Sequence, residues 1–176
     1  MLGVGAFFPQ FSLTGVKSIE DDNAFTTITH DLNPGKWKLY FFWPKDFTFI
    51  CPTELVGFSN LTDEFAKRNC VIYGASTDSE YVHLAWRQNN SALSALKFVM
   101  ISDIKHELCH GLGILDSKEG VAQRATFLVD PENRIRFAYV TDLDVGRNPQ
   151  EVLRVLDALQ TGERCPCGWN KGDATI

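Results

Sequence analysis

The sequence predicts a single α/β domain, and three observations support that prediction. The chain has 176 residues, of which 44% are apolar, so one packed core of ordinary size is expected. Apolar runs of strand length alternate with segments in which apolar residues recur every three or four positions. Near the end, this alternation gives way to two strands around a tight turn and one closing helix.

The first part of the chain predicts two short strands, a longer strand and a helix. The short strands are expected within residues 7–29, and the run KLYFFW (38–43) predicts a strand with both faces covered. A helix is predicted over residues 51–69, because one apolar stripe recurs there at spacings of three and four. The residues of this stripe are Leu55, Phe58, Leu61 and Phe65.

The middle of the chain continues the alternation. The runs VIYGAS (71–76) and FVMISD (98–103) predict two further buried strands. Between them, TDSEYVHLAWRQNN (77–90) predicts a helix. The segment IKHELCHGLG (104–113) predicts a short helix that ends at glycine.

The last part of the chain predicts a hairpin, a helix and a tail. The runs ATFLV and RIRFAYV flank DPEN, whose proline occupies the second turn position, so they predict a β-hairpin. A closing helix is predicted over residues 149–160. This element order is that of a thioredoxin-like α/β domain. We therefore expect a thioredoxin-like domain with an N-terminal strand extension over residues 1–160, followed by a polar C-terminal tail over residues 161–176.

Composition and charge argue against several classes of protein. The net charge of −5 and the lack of a basic cluster argue against a nucleic-acid-binding protein. No apolar run approaches the roughly 18 residues that a membrane span needs. The N-terminus has no basic region followed by a long apolar one, so no signal peptide is expected. We therefore expect a cytoplasmic protein, without nucleic-acid or membrane partners, whose five cysteines are reduced at rest.

Cys51 lies at the predicted start of a helix, next to Pro52, and proline is favoured at the first helical position. The first amides of a helix have no internal partners, and the helix dipole leaves that end partly positive. A thiolate is stabilised in such a place, and the thiolate is the reactive form of cysteine. The alternative is that Cys51 is a small core residue, because free cysteines are often buried and inert.

Thr48 and Pro44, which precede Cys51 in the sequence, are suited to a place beside a reactive thiol. Thr48 can present a hydroxyl to the sulfur or to a bound oxygen atom, and the ring of Pro44 can shield the thiolate from water. The resulting pattern, P-x-x-x-T-x-x-C, resembles the active-site pattern of peroxiredoxins, in particular typical two-cysteine peroxiredoxins of the alkyl hydroperoxide reductase peroxidase-subunit type. Four further stretches are similar to the same family in the same order: STDSEYVHLAWR, RATFLVDPENRIRF, DVGRN and CPCGWNKGDATI.

The resemblance implies a thiol peroxidase that needs no cofactor and no metal. It assigns the peroxidatic cysteine to Cys51, with Thr48 and Pro44 beside it, and the active-site arginine to Arg124. The residues alone favour a solvated strand-end charge for Arg124. The implied substrates are hydrogen peroxide and alkyl hydroperoxides, with peroxynitrite as a further candidate. The product on Cys51 would be a sulfenic acid.

The resemblance also implies a second thiol and an assembly. It assigns the resolving cysteine to Cys165 of the partner subunit, which implies an antiparallel homodimer, and such dimers assemble into rings in the family. A dithiol reductase, either thioredoxin-like or a dedicated protein without flavin, would reopen the disulfide. Cys167 departs from the commonest pattern and is either a relay thiol for this reductase or a bystander. Glu54 and Arg147 are expected to form a supporting ion pair.

Two alternatives to a peroxidase remain open. HELCH (106–110) matches the zinc-binding pattern H-E-x-x-H, which would indicate a zinc hydrolase. Gly111 ends the predicted helix directly after this motif, and no third ligand is evident, so two surface histidines are favoured. The second alternative is a redox-regulated holdase or scaffold without turnover.

The sequence also predicts resistance to inactivation by excess peroxide. Easily inactivated relatives carry a Gly-Gly-Leu-Gly insertion before the strand that corresponds to FVMISD, and an extra C-terminal helix over the active site. The corresponding loop, QNNSALSALK (88–97), contains no glycine, and the chain ends at Ile176, a few residues past Trp169. We therefore expect the first turn of the Cys51 helix to unwind readily.

Overall fold

The computed structural model describes all residues from Met1 to Ile176. Seven strands form one sheet in the order β2-β1-β5-β4-β3-β8-β9, and β6 pairs with β7 in a small separate hairpin. The strands are β1 Ser12–Val16, β2 Phe25–Thr29, β3 Trp37–Phe42, β4 Cys70–Ser76, β5 Val99–Ser102, β6 Leu115–Asp116, β7 Val121–Ala122, β8 Arg124–Val129 and β9 Ile135–Thr141. The helices are α1 Cys51–Asn60, α2 Thr62–Lys67, α3 Glu80–Asn89, α4 Ser91–Ser94, α5 Glu107–Leu112 and α6 Pro149–Thr161.

The sheet is mixed, as a thioredoxin-like α/β fold requires. Strands β3, β4 and β5 run parallel, which needs the helical crossovers that the sequence predicts. Strand β8 joins β3 antiparallel and continues into β9 through the predicted hairpin. The N-terminal pair β1 and β2 extends the other edge. The predicted fold class is therefore confirmed.

Both faces of the sheet are covered by apolar side chains. Along β3 and just beyond it, Leu39, Phe41 and Trp43 point into one core cluster, with residues of α1 and α6. The alternate residues Tyr40 and Phe42 point into the second cluster, on the side of α5. This explains why the run 38–43 is apolar throughout rather than alternating.

The predicted helix over residues 51–69 is in fact two helices that meet at Leu61. The Leu61 amide bonds to the carbonyl of Phe58, three residues back, which tightens the last turn of α1 and ends it. The predicted stripe otherwise holds, because Leu55, Phe58 and Phe65 are fully buried while Leu61 is half-buried.

One short helix and two short strands were not predicted. The loop 88–97 contains helix α4, which is capped by the Asn90 side chain accepting from the Ala92 amide. Strands β6 and β7 have two residues each, too few for a periodicity to show. No helix of the protein is long and apolar enough to span a membrane.

The tail after α6 folds back along that helix. Nη1 of Arg154 donates to the carbonyl of Trp169 at 2.6 Å, and the Trp169 side chain is buried. Nζ of Lys171 lies 3.3 Å from Oδ1 of Asp157 on the same helix. The tail is thus held by a few polar contacts and one aromatic side chain.

Candidate active site

Cys51 is the first residue of α1, and Pro52 lies in the first turn, as the sequence predicts. The thiol is fully buried within the core cluster that lies over α1. Nη1 of Arg124 donates to the Cys51 sulfur at 3.4 Å. A cationic donor beside the sulfur stabilises a thiolate, so this contact favours the reactive thiol over the alternative interpretation.

Arg124, the first residue of β8, is not a solvated charge. Only 3% of the residue is exposed, so the interpretation of Arg124 as a solvated charge at the end of a strand is wrong. Its Nε donates to the carbonyl of Leu143 at 2.6 Å, and its Nη1 donates to Oε2 of Glu54 at 2.7 Å. Because these bonds fix both sides of the guanidinium, the N–H that faces the sulfur has a fixed direction.

Glu54 lies one turn after Cys51 and binds two arginines. The backbone N and the Nε of Arg147 donate to Oε1 at 2.9 and 2.7 Å, and Nη2 donates to Oε2 at 2.9 Å. Burial alone opposes the ionisation of Glu54. The hydrogen bonds from Arg147 and the charges of Arg147 and Arg124 outweigh it, so the pKa of Glu54 lies below its ordinary value.

The buried charges at this site do not cancel without the thiol. Arg124 and Arg147 contribute two positive charges, and Glu54 contributes one negative charge. A buried net charge is costly unless a counter-charge lies beside it. The Cys51 sulfur lies beside this unbalanced positive charge, 3.4 Å from Nη1 of Arg124.

An open cavity of about 530 Å³ lies beside this cluster. Its wall includes Pro44, Thr48 and Arg124, which the sequence predicts to act together. Cys51 lies beneath the wall, next to the lining residue Ile50. The remaining lining residues are Lys45, Phe49, Asp116, Lys118, Glu119, Val121, Leu143 and Asp144.

Of the two partners expected for the Thr48 hydroxyl, the Cys51 sulfur and a bound oxygen atom, the structure shows no bond to the sulfur. Oγ1 of Thr48 donates to the carbonyl of Lys45 at 3.0 Å rather than to the Cys51 sulfur. Because the proton is committed to Lys45, the lone pairs of Oγ1 remain available as acceptors on the cavity wall. Thr48 is therefore equipped to accept a hydrogen bond from a bound O–H group.

The two C-terminal cysteines lie elsewhere in the protomer. Cys165 is half-buried against the end of α6, with its sulfur 3.5 Å from Oγ1 of Thr161 and 3.7 Å from the carbonyl of Ala158. Cys167 is exposed, and both thiols are free. They line a separate cavity of about 600 Å³, which shares no residue with the one beside Cys51.

Cys70 and Cys109 have the surroundings of structural residues. Burial raises the pKa of both thiols, and in Cys109 the negative charge of Asp103 raises it further. A thiol that resists ionisation is a poor nucleophile. Neither thiol is hydrogen-bonded to Arg124, Arg147 or Glu54.

The histidines of HELCH do not share a helix. His106 precedes α5 and has a left-handed backbone with φ of 61°, whereas His110 lies within the helix and is exposed. No group of three or more His, Cys, Asp or Glu side chains is placed to hold a metal ion. The structural context of the zinc pattern is therefore missing.

Sequence reasoning missed one polar group near the site. Asp46, between Pro44 and Thr48, is buried and lies 2.6 Å from Nδ1 of His83 on α3. The two residues are 37 positions apart, and neither belongs to a spacing pattern that would pair them. The only available signal was that His83 falls on the inner face of a predicted helix.

Comparisons with known proteins show the family of the chain. A family model described as the AhpC/TSA family matches residues 4–138. Alkyl hydroperoxide reductase C of Mycobacterium tuberculosis (strain ATCC 25618 / H37Rv) is 50% identical, over 100% of this chain and 94% of that protein. Peroxiredoxin-1 of Gallus gallus is 39% identical, over 98% of this chain and 89% of that protein.

A solved structure gives the same result. The reduced 2-Cys peroxiredoxin of Plasmodium vivax superposes with a TM-score of 0.92 at 33% identity, covering 99% of this chain and 93% of the other. Sequence and structure thus agree along nearly the whole length of the chain. The protein therefore belongs to the AhpC/TSA family, and it is an enzyme of the peroxiredoxin type.

Proposed function

We propose that this peroxiredoxin reduces hydrogen peroxide and alkyl hydroperoxides through a sulfenic acid on Cys51. Peroxynitrite is a further candidate substrate. The observation that carries the proposal is the 3.4 Å contact between Nη1 of Arg124 and the Cys51 sulfur at the start of α1. It combines a nucleophile, a helix N-terminus and a fixed cationic donor at one point.

The first step transfers one oxygen atom to the sulfur. The Cys51 thiolate attacks one peroxide oxygen, an S–O bond forms, and the O–O bond breaks. The second oxygen leaves with the electron pair and takes up a proton, which gives water or an alcohol. Arg124 stabilises the negative charge that develops on the two oxygens, and Thr48 accepts a hydrogen bond from the peroxide O–H. Pro44 covers one side of the site.

The second step forms a disulfide with Cys165. The Cys165 thiol attacks the sulfenic sulfur, and water leaves. Within one protomer, Cys165 packs against α6 and lines a different cavity, which supports resolution by the partner subunit's Cys165. Because Cys51 is fully buried, the first turn of α1 must unwind before the two sulfurs meet.

The open edge of the sheet supports the dimer. Strand β9 is the last strand at its edge, so one row of its backbone groups has no partner strand. Two copies of β9 can pair antiparallel about a twofold axis, which makes one self-complementary interface. Such dimers would then assemble into a ring, as the family resemblance implies.

The recycling step requires a dithiol reductase in a reducing compartment, which is the cytoplasm expected from the sequence. We propose that residues 161–176 act as a separate segment that presents the Cys51–Cys165 disulfide to this reductase. Cys167 is exposed and only two positions from Cys165, so it can accept the disulfide and pass it on. The reductase is either thioredoxin-like or a dedicated protein without flavin.

A non-reducing gel after one equivalent of peroxide tests the proposal. We expect a disulfide-linked dimer that dithiothreitol reverses. Cys51→Ser should give no such band, and Cys165→Ser should give either no band or one that forms more slowly, through Cys167. Unchanged mobility in the wild type would contradict the two-cysteine reaction. An oxidised monomer with an internal Cys51–Cys165 bond, identified by peptide mapping, would contradict the intersubunit step.

A further inference from the structure

Asp46, in the loop of residues 44–50, and His83, on α3, form a fully buried pair. Nδ1 of His83 lies 2.6 Å from Oδ2 of Asp46, and both side chains are excluded from solvent. The other nitrogen of His83, Nε2, lies 3.1 Å from the carbonyl oxygen of Ile101. Neither residue takes part in the proposed reaction. The loop that contains Asp46 nevertheless supplies Pro44 and Thr48 to the wall of the cavity beside Cys51.

The hydrogen bonds fix the number of protons in this pair. The carbonyl of Ile101 can only accept, so Nε2 of His83 carries a proton. Nδ1 and Oδ2 are 2.6 Å apart, so a second proton lies between them. The pair is therefore neutral in sum, whichever atom holds that proton. Burial raises the pKa of Asp46, although the charge and hydrogen bond of His83 act in the opposite direction.

Asp46 also connects the loop to the ends of two strands. Its Oδ1 accepts from Nε1 of Trp43, which directly follows β3, at 2.7 Å. Its backbone N donates at 2.9 Å to Oδ2 of Asp78, which follows β4. The same Asp78 oxygen accepts from Oγ of Ser76 at 2.7 Å. Asp78 is the other charged group that faces the pair. Its carboxylate accepts from the backbone N of Asp46 and does not bind the proton that Asp46 and His83 share.

The residue after Asp46 shows why the loop needs this support. Phe47 has a φ of 55°, in the left-handed region that bulky residues rarely adopt. Such a conformation persists only where the surroundings hold it. The Phe47 ring lies 5.9 Å from that of Trp86, which is on α3 like His83. Helix α3 thus holds the loop at two successive residues.

We propose that Asp46 and His83 are positioning residues, which keep residues 44–50 in the conformation that the reaction of peroxide with Cys51 requires. This rests on the proposed function of Cys51. Pro44 and Thr48 lie on either side of Asp46, so a loosened Asp46 displaces both from the cavity. The pair serves only the first step, because the loop must give way when the first turn of α1 unwinds for disulfide formation.

Two substitutions of Asp46 distinguish a role in positioning the loop from a role of its carboxylate charge. Asp46→Ala removes the side-chain bonds to Trp43 and His83. It leaves Nδ1 of His83 without its partner. In Asp46→Asn, the amide nitrogen can donate to Nδ1 of a neutral His83, and the amide oxygen can still accept from Trp43. The measurement is rapid quenching of the reduced protein with hydrogen peroxide, followed by dimedone trapping at Cys51 and, separately, by disulfide formation with Cys165.

We expect Asp46→Ala to lower the rate constant for Cys51 oxidation about tenfold to a hundredfold, as displaced reacting groups do. Disulfide formation from the sulfenic acid should be as fast as in the wild type or faster. Asp46→Asn should restore Cys51 oxidation to within about twofold, since it keeps both bonds. Ser102→Ala is the control, because Ser102 is buried nearby and donates only to the carbonyl of Asp78.

Three results would overturn the proposal: wild-type oxidation of Cys51 in Asp46→Ala, equal losses in Asp46→Ala and Asp46→Asn, or equal slowing of both steps. If Asp46→Ala does not fold, Trp43→Phe replaces it. This change removes the Nε1 donor together with part of a buried ring, so its urea midpoint is measured as well, and it should slow the first step selectively. Dimedone labelling of Cys51 in the wild type tests the proposed function separately, so the two failures are distinguishable.

Discussion

Cys51 and Cys165 are both free thiols, but the protein surrounds them in opposite ways. Cys51 is fully buried, and the nearest donor to its sulfur belongs to an arginine that is itself held by a carboxylate and a backbone carbonyl. Cys165 lies on a tail whose sulfur contacts are one hydroxyl and one carbonyl, both longer than 3.4 Å. The thiol proposed to meet peroxide has a fixed donor beside it, whereas the thiol proposed to resolve it has only these two long contacts.

The difference follows from what each proposed step needs. Attack on an O–O bond depends on preorganised donors around the nucleophile, so rigidity is an advantage there. Disulfide formation brings together sulfurs that start in different places, so few and weak contacts are an advantage. The following experiments test this difference by changing or probing the surroundings of one of the two thiols.

The largest effect is expected from removal of the first thiol. Cys51→Ser should reduce peroxide consumption to background, because a serine alkoxide is not available near neutral pH and serine is a poor attacker on O–O bonds. Peroxide consumption with dithiothreitol as reductant measures this. Cys70→Ser is the matched control, since Cys70 is buried but has no arginine beside it. Turnover that survives in Cys51→Ser would reject the assignment.

The buried carboxylate should matter for stability. Glu54→Gln leaves two buried arginines without their common acceptor charge, and we expect a loss of roughly 3–5 kcal/mol at neutral pH. The pKa of Glu54 is lowered in the folded state, so its contribution is present above the ordinary glutamate pKa and is lost as pH falls through the lowered value.

Urea midpoints of the wild type and Glu54→Gln at several pH values check this prediction. The difference between the two proteins should be constant near neutral pH and should shrink in acid, below about pH 4.3. Glu163→Gln, on the exposed tail, should show neither effect. A difference that persists unchanged into acid would contradict the role of the Glu54 charge.

Removal of the cationic donor should slow the first step. Arg124→Met should lower the rate constant for peroxide by about 10²-fold or more, which is the range for one lost transition-state donor. The rate constant is measured by stopped flow with hydrogen peroxide. Arg134→Met removes an exposed arginine at the β8–β9 hairpin and is the control. Equal rates in the two variants would show that the Arg124 contact has no catalytic role.

The sequence predicts the local parts of this site and not the long-range ones. Pro44, Thr48 and Cys51 lie within eight positions, so one pattern contains them all. Arg124 and Arg147 reach Glu54 across 70 and 93 positions, and only the family resemblance indicates them. A single sequence carries no signal for such pairings, because they depend on how the strands are ordered.

The fold shows the same limit. Alternating apolar runs predict β3, β4 and β5 and the helices between them, because periodicity and turn chemistry are local. They do not indicate that β1 inserts beside β5, or that β8 returns to lie antiparallel beside β3. The Asp46–His83 pair was missed for that reason, since α3 meets the loop 44–50 only in the assembled fold.

For the two cysteines of the C-terminal tail, we expect smaller effects that distinguish their roles. Cys165→Ser should still react once with peroxide and then accumulate a sulfenic acid or a slower disulfide through Cys167. Cys167→Ser should form the Cys51–Cys165 disulfide normally and be reduced more slowly by its natural reductase. Mass spectrometry of alkylated peptides measures both. Equal recycling of the wild type and Cys167→Ser would leave Cys167 a bystander.

The smallest effect is expected for overoxidation of the wild type. The loop 88–97 contacts the far end of α1, where the amide of Lys97 donates to Oγ of Ser59 at 3.1 Å, so it does not hold the first turn. In the proposed reaction, conversion of the Cys51 thiolate to a sulfenic acid removes one of the two negative charges beside Arg124 and Arg147 and leaves only that of Glu54. Both features favour unwinding of the first turn.

Resolution should therefore precede attack by a second peroxide molecule. During repeated turnover with micromolar hydrogen peroxide and a dithiol reductant, intact-mass analysis should detect almost no sulfinic acid at Cys51. Cys165→Ser is the matched control, because it cannot resolve normally and should accumulate sulfinic acid under the same conditions. Sulfinic acid in the wild type within a few turnovers would contradict this prediction. It would mean that the first turn of α1 stays folded after the sulfenic acid has formed, so that Cys51 remains rigidly held when disulfide formation requires it to move.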